Sequence, residues 1–151
     1  MTTVAWTKTI LKACRHVKTV CLIVDSYVRH SPKRIFRIFG EKNTVFHIDK
    51  ILRLSEAKER AIRLAHLCSG ILSKMKPGNK EVLFQKFLLE LPDEVIIKKL
   101  GKSRRSMYRC LDKSLKEFTF LRGLGQITDE ELLKEYGGDE WITKIHKNFA
   151  A

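Results

Sequence analysis

Basic and hydroxyl side chains are concentrated in one short stretch that could bind nucleic acid. Residues 102–109 read Lys-Ser-Arg-Arg-Ser-Met-Tyr-Arg, so eight residues carry four cations and two serine hydroxyls. Arginine presents paired donors that match the guanine edge in the major groove, while hydroxyls and the backbone amides at a helix start bind phosphate. The pattern therefore predicts base readout by Arg104, Arg105, Tyr108 and Arg109, and phosphate contacts by Lys102, Ser103, Ser106 and Lys113.

A helix-turn-helix over residues 92–121 would position these side chains. Gly101 permits the positive φ that a sharp turn needs, and Ser103 is a good N-cap for the helix that follows. In that second helix, apolar residues four apart form a stripe to be buried, namely Met107, Leu111 and Leu115. The basic residues then face outward near the start of the helix, where base edges are contacted. The alternative interpretation is three core helices with a solvated basic face.

The rest of the chain also shows helical periodicity and no strand-like alternation, so we predict an all-α fold. A first helix is expected over residues 4–29, with a break at Ser31-Pro32, because proline disfavours helical geometry in the residue before it. A long amphipathic helix over residues 48–75 leads into the helix-turn-helix. The predicted domains are an N-terminal helical region (1–76), the DNA-binding domain (77–122) and an acidic C-terminal helical tail (123–151).

The formal net charge of +13 indicates a polyanionic partner, and it is unevenly distributed. Residues 1–73 carry a net +9, residues 74–122 a net +7 and residues 123–151 a net −3. We therefore hypothesise that N-terminal basic residues contact phosphates beside the reading helix; they are Lys8, Lys12, Arg15, Lys18, Lys33, Arg34 and Arg37. The alternative is a solvated face that keeps the protein in solution.

Several classes of protein are disfavoured by the sequence. No apolar run approaches the 18 residues of a membrane span, and no secretory signal pattern is present. The cysteines are dispersed, the histidines lack metal-ligand spacing, and no glycine-rich phosphate loop or catalytic motif occurs. We expect an intracellular protein that is not an enzyme and needs neither cofactor nor metal.

Part of the chain resembles region 4 of the bacterial sigma-70 family. The resemblance covers Glu81-Val-Leu-Phe-Gln-Lys-Phe, Leu91-Pro-Asp-Glu-Val-Ile-Ile-Lys-Lys-Leu-Gly and the recognition-helix start. It looks closer still to the sigma-region-4-like domain of the ArpU/RinA-type phage transcription regulators, whose helix opening is matched by Ser103, Arg104, Arg105, Tyr108 and Arg109. Gly40 and Asn43 before a long helix also resemble their layout, so the match extends over about residues 40–122.

The resemblance implies a sequence-specific regulator of transcription, a phage or prophage late-gene activator acting on double-stranded DNA with host RNA polymerase. It also implies a cytoplasmic, nucleoid-associated location in a bacterial host. Two alternatives remain open. One is a small-terminase-like DNA-packaging subunit, which would assemble into rings. The other is a polymerase-binding adaptor, whose contact surface would include Phe84 and Phe87. Homo-oligomerisation also stays open.

Overall fold

The computed structural model describes the backbone of residues 1–38 and 41–150 and the side chains of residues 1–30 and 48–150. Within these residues the protein is all-α, as predicted, with seven α-helices, one π-helical turn and no strand. The helices are α1 (Val4–Ile38), α2 (Glu41–Ser73), α3 (Pro77–Leu83), α4 (Asp93–Leu100), α5 (Arg104–Leu124), α6 (Asp129–Tyr136) and α7 (Glu140–Ala150). The π-helical turn, Phe84–Leu88, follows α3 directly.

The predicted break at Ser31-Pro32 is wrong, because α1 continues through this dipeptide to Ile38. Proline lacks the N–H that would bond to the carbonyl four residues earlier, Val28, so the helix forgoes one hydrogen bond at this point without ending. The next helix, α3, starts at Pro77, where the missing N–H is one that a helix start leaves unpaired in any case.

The chain divides into two compact units whose bounds differ from the predicted domains. Unit 1 comprises Met1–Arg15 and Leu64–Ala151, and unit 2 comprises His16–Arg63. The segment 1–76 is therefore not one region, because its first and last parts pack with the helices that follow. Likewise, the acidic tail is not a separate piece, since Leu132, Tyr136 and Ile142 belong to the core of unit 1.

The core of unit 1 gathers side chains from α1, α2, α3, α5, α6 and α7. Its largest members are Trp6, Ile10, Leu11, Leu64, Leu72, Leu83, Leu111, Leu115, Phe118, Leu132, Tyr136 and Ile142. Polar contacts fix the position of α5 in this core. The Glu117 carboxylate accepts hydrogen bonds from the Lys76 backbone N–H (2.8 Å) and from the Asn79 amide, which ties α5 to the start of α3.

The last full turn of α5 is fixed by Arg122, which is fully buried. Its guanidinium donates to the carbonyl oxygens of Ile127 and Thr3, both at 2.8 Å, and to Asp129 Oδ1 at 2.9 Å. Asp129 Oδ1 also accepts from the Thr3 backbone N–H at 3.0 Å. This network joins α5, α6 and the segment before α1, so the C-terminal end of α5 is held from two sides.

Unit 2 consists of α1 and α2 residues lying side by side. The Lys58 ammonium bonds to Asp25 Oδ1 at 2.6 Å, and the Lys50 ammonium lies 4.9 Å from the centre of the Tyr27 ring. From the first of these contacts to the second, the residue number rises in α1 and falls in α2, so the two helices run antiparallel. The apolar face of the amphipathic helix predicted over residues 48–75 is not buried at its N-terminal end, where Ile48 is exposed. Two helices packed side by side cover only part of each other's surface.

Candidate nucleic-acid interface

The turn between α4 and α5 has the local geometry that the sequence predicts. Gly101 ends α4 in the left-handed conformation, at φ 63° and ψ 32°. Ser103 then adopts an extended conformation, and its hydroxyl accepts a hydrogen bond from the Ser106 backbone N–H at 3.2 Å. Ile96 of α4 and Met107 of α5 are completely buried on either side of the turn. The result is a short helix, a tight turn and a 21-residue helix packed on one another.

The two faces of α5 differ sharply in character. The buried face contains Met107, Leu111, Ser114, Leu115, Phe118 and Arg122. The exposed face contains Arg104, Arg105, Tyr108, Arg109, Asp112, Lys113 and Lys116. At 100° per residue, the exposed set spans about 180° of the helix surface and the buried set about 100°, with Arg104 at the border between them. All four residues predicted for base readout thus lie on the exposed face.

Arg105 and Arg109 carry charges with no acidic partner among the described side chains, and both residues are exposed. They are one turn apart, so both guanidinium groups lie on the same side of α5. Lys113 continues this row after one further turn and is likewise exposed. Asp112, the acid on this face, pairs with Lys116 at 3.0 Å instead. The row therefore presents unneutralised positive charge to solvent.

Arg104 and Tyr108 have partners within the protein, which the sequence pattern did not predict. The Arg104 guanidinium bonds to Glu94 Oε1 at 2.8 Å and lies 3.7 Å from Asp93 Oδ2. The Tyr108 hydroxyl donates a short hydrogen bond to the same Asp93 oxygen. We call Asp93 and Glu94 the acidic clamp, since both acids at the start of α4 hold side chains from the start of α5.

The electrostatics of the acidic clamp follow from these contacts. The Lys86 ammonium donates to Asp93 Oδ1 at 2.7 Å, and this bond, followed by that from Tyr108, holds the pKa of Asp93 below its ordinary value. The pKa of Tyr108 is raised in turn, because its proton is engaged by the Asp93 carboxylate. The pKa of Glu94 is lowered first by a bond to its own backbone N–H and then by Arg104. Asp93 thus stays ionised and keeps both α5 side chains in place. The sequence did contain a signal for the acidic clamp, namely two adjacent acids eight and nine residues before the basic cluster.

The four residues predicted to contact phosphate have different surroundings. Lys102 and Lys113 are exposed and free to reach a ligand. The Ser103 hydroxyl already serves as the N-cap of α5, and Ser106 supplies the N–H that it binds. Two of the four are thus available cations, while the two serines have a structural role at the helix start.

A groove adjoins the exposed face of α5 on one side. It has a volume of about 370 Å³ and is lined by Tyr108 and Asp112 of α5, Lys86 and Phe87 of the π-helical turn, Lys8 of α1 and Phe149 of α7. The Lys8 and Lys12 ammonium groups lie 5.9 and 5.8 Å from the centre of the Phe149 ring. The N-terminal part of α1 therefore carries positive charge beside this groove.

The other N-terminal cations of the phosphate hypothesis are placed differently. Arg15 pairs with Glu90 at 3.2 Å, and Lys18 belongs to unit 2. Lys33, Arg34 and Arg37 have side chains outside the described residues, as does Asn43, and Gly40 is outside them altogether. Of the seven, Lys8 lines the groove beside α5, and Lys12 lies over the Phe149 ring, which lines the same groove.

The described side chains form no group of three or more His, Cys, Asp or Glu that could hold a metal ion. None of the helices, over the residues that the structure describes, combines the length and the apolar character needed to cross a membrane.

Comparison with known proteins finds no matching family model, no matching curated protein and no matching solved structure. The resemblance to sigma-70 region 4 and to the ArpU/RinA-type regulators accordingly stays a prediction, carried by the sequence of residues 40–122.

Proposed function

We propose that this chain is a sequence-specific DNA-binding transcription regulator, a phage or prophage late-gene activator that works with host RNA polymerase. The observation that carries the proposal is the exposed row of Arg105, Arg109 and Lys113 on a helix whose other face is buried. Such a helix can enter the major groove without loss of its packing, and its first turns then meet base edges.

Arg105 and Arg109 are the base-reading residues in this proposal. Four residues of helix rise about 6 Å, close to two base-pair steps of about 3.4 Å each. The two guanidinium groups can therefore reach bases about two steps apart on one DNA strand. Arg104 and Tyr108 lie on the same face, but the acidic clamp orients them, and Arg104 has half its side chain exposed, 55%, for a contact beside its ion pairs.

In this proposal, lysines in the turn and in α1 contact DNA phosphates beside the base-reading residues. Lys102 precedes α5, Lys8 lines the groove beside Tyr108, and Lys12 lies over the Phe149 ring, which lines the same groove. Each phosphate contact adds about 0.9 to the slope of log affinity against log salt concentration. The double variant Lys8→Ala/Lys12→Ala should lower that slope by about 1.8. An unchanged slope would mean that this part of α1 does not touch DNA.

The part of the proposal that concerns RNA polymerase rests on an apolar surface near the helix-turn-helix. Phe84 is 40% exposed and Leu89 is 45% exposed, at the two ends of the π-helical turn. Phe84→Ala should weaken binding to purified bacterial RNA polymerase and leave DNA affinity unchanged. If the wild type binds RNA polymerase but does not bind DNA, the adaptor function is correct instead.

Selection from a pool of randomised duplexes tests the DNA-binding proposal although the operator sequence is unknown. The wild-type protein should enrich one consensus, and Arg105→Ala and Arg109→Ala should each lose or relax it. Lys134→Ala is a matched control, because it removes one exposed positive charge from α6. Its consensus should equal that of the wild type. Enrichment of no sequence by the wild type would contradict the proposal.

A further inference from the structure

Unit 2 leaves an unusual share of its large apolar side chains in solvent. Among its described residues, Val17, Val24 and Ala61 are buried. Five larger side chains are at least a third exposed, namely Leu22 (60%), Ile23 (64%), Ile48 (51%), Leu52 (57%) and Ile62 (36%). Two helices alone cannot cover an apolar surface of this extent, which is what distinguishes a helix pair from a bundle.

The exposed apolar residues of α2 follow the spacing of a helix-packing seam. Ile48, Leu52 and Ile62 fall in the series 48, 52, 55, 59 and 62, in which steps of four and three alternate. This is the 3.5-residue repeat that keeps one seam turned towards a packing partner. An open groove of about 620 Å³ runs between α1 and α2 along the later part of the seam, with Val24 and Val28 on its α1 side.

We propose that this groove and seam form a self-association surface, on which a second copy of the chain packs its own α1–α2 pair about a twofold axis. The charges that line the groove favour this occupant. Two acids, Asp25 and Glu59, balance two bases, Arg29 and Lys58, on a chain whose net charge is +13. Like molecules of that charge repel each other over basic surfaces, whereas a neutral apolar surface allows them to meet.

The same balance disfavours the other classes of partner. Nucleic acid or an acidic protein would bind a surface with an excess of positive charge, such as the exposed face of α5. The lining of this groove has no such excess. Asp25 and Lys58 pair with each other, which leaves Arg29 and Glu59 without an ion pair in the described part of the chain. In a twofold interface each contact occurs twice, so Arg29 of one copy meets Glu59 of the other and the reverse.

Light scattering and sedimentation of the full chain, without DNA, test the proposal. The wild type should have twice the 17.6 kDa mass of one chain. Leu52→Glu should raise the dimer dissociation constant by about tenfold or more, because it places a charge in the apolar seam. Leu133→Glu is the matched control, since Leu133 is equally exposed (59%) but lies on α6 in unit 1, and it should remain dimeric. Circular dichroism checks that both variants keep their helix content.

A charge exchange makes the test independent of the apolar substitution. Arg29→Glu and Glu59→Arg should each weaken the dimer, and the double variant should restore it. A monomeric wild type at micromolar concentration, an unaffected Leu52→Glu or a closed ring of eight or more copies would each overturn the proposal. The ring would favour the DNA-packaging function. A monomer would leave the DNA-binding proposal intact, since the two are measured separately.

Discussion

Replacing Arg122 by methionine removes the buried guanidinium that joins the end of α5 to α6 and to the segment before α1. Three hydrogen bonds of 2.8–2.9 Å are lost, two of them to backbone carbonyls. Asp129 keeps its bond from the Thr3 N–H and is 16% exposed, so its carboxylate is not left wholly without a partner. Breaking a buried ion pair costs about 3–5 kcal/mol of folding free energy. Because the Asp129 carboxylate stays partly solvated, we expect a loss near the lower end of this range, at about 3 kcal/mol.

Urea unfolding followed by tryptophan fluorescence measures this loss in unit 1. Both tryptophans of the chain, Trp6 and Trp141, belong to that unit. With a urea dependence of about 2 kcal/mol per molar, the midpoint should fall by about 1.5 M. Arg15→Met is the matched control, because it breaks a half-exposed ion pair with Glu90 and should cost less than about 1 kcal/mol. Equal midpoints for the two variants would refute the role given to Arg122.

Three further substitutions test the turn, the acidic clamp and a partly buried histidine. Gly101→Ala should destabilise unit 1 by about 1–2 kcal/mol, because its φ is +63° although its surroundings have room for a methyl group. Asp93→Asn should lower the free energy of unfolding by a constant amount above about pH 4, and the difference from the wild type should shrink at lower pH, because the folded pKa of Asp93 lies below its ordinary value. His146 stacks on Trp6 with ring centres 4.0 Å apart, and burial lowers its pKa below 6.5. Acidification should therefore change Trp6 fluorescence with a midpoint below pH 6.5, and His146→Gln should abolish the change.

Each of these expectations can fail in a specific way. A Gly101→Ala protein as stable as the wild type would mean that the turn does not need a left-handed residue. A difference at Asp93 that grows on acidification would mean that its folded pKa is raised. A fluorescence transition that survives His146→Gln would assign the titration to another group.

The local features of α4, the turn and α5 could be predicted from the sequence because each depends on near neighbours in the chain. Gly101 supplies positive φ, Ser103 accepts from the N–H three residues on, and the buried stripe of α5 follows helical spacing. Thr128 caps α6 in the same way, as its hydroxyl accepts from the Glu131 N–H. Such contacts span three or four residues, which is the range that sequence patterns describe.

Contacts between distant residues could not be predicted in this way. Thr3 and Arg122 are 119 residues apart, and nothing in the sequence marks Arg122 as buried among the many surface arginines. The hydrogen bond of Tyr108 to Asp93 depends on how closely α4 packs against α5, which helical periodicity does not define. The sequence also did not predict that α1 continues through Pro32. Local helix propensity is a weak predictor of a helix end when the turns on both sides of the proline are helical.

The most direct test of the central claim compares the affinity of the protein for its selected DNA site with its affinity for a scrambled duplex, at one salt concentration. The wild type should prefer the selected site by about 10³-fold or more. Arg105→Ala should lower this preference by about 5- to 150-fold, the equivalent of about 1–3 kcal/mol, and should change affinity for the scrambled duplex far less. An equal loss on both duplexes would contradict the claim, since Arg105 would then contact phosphate and carry no sequence information.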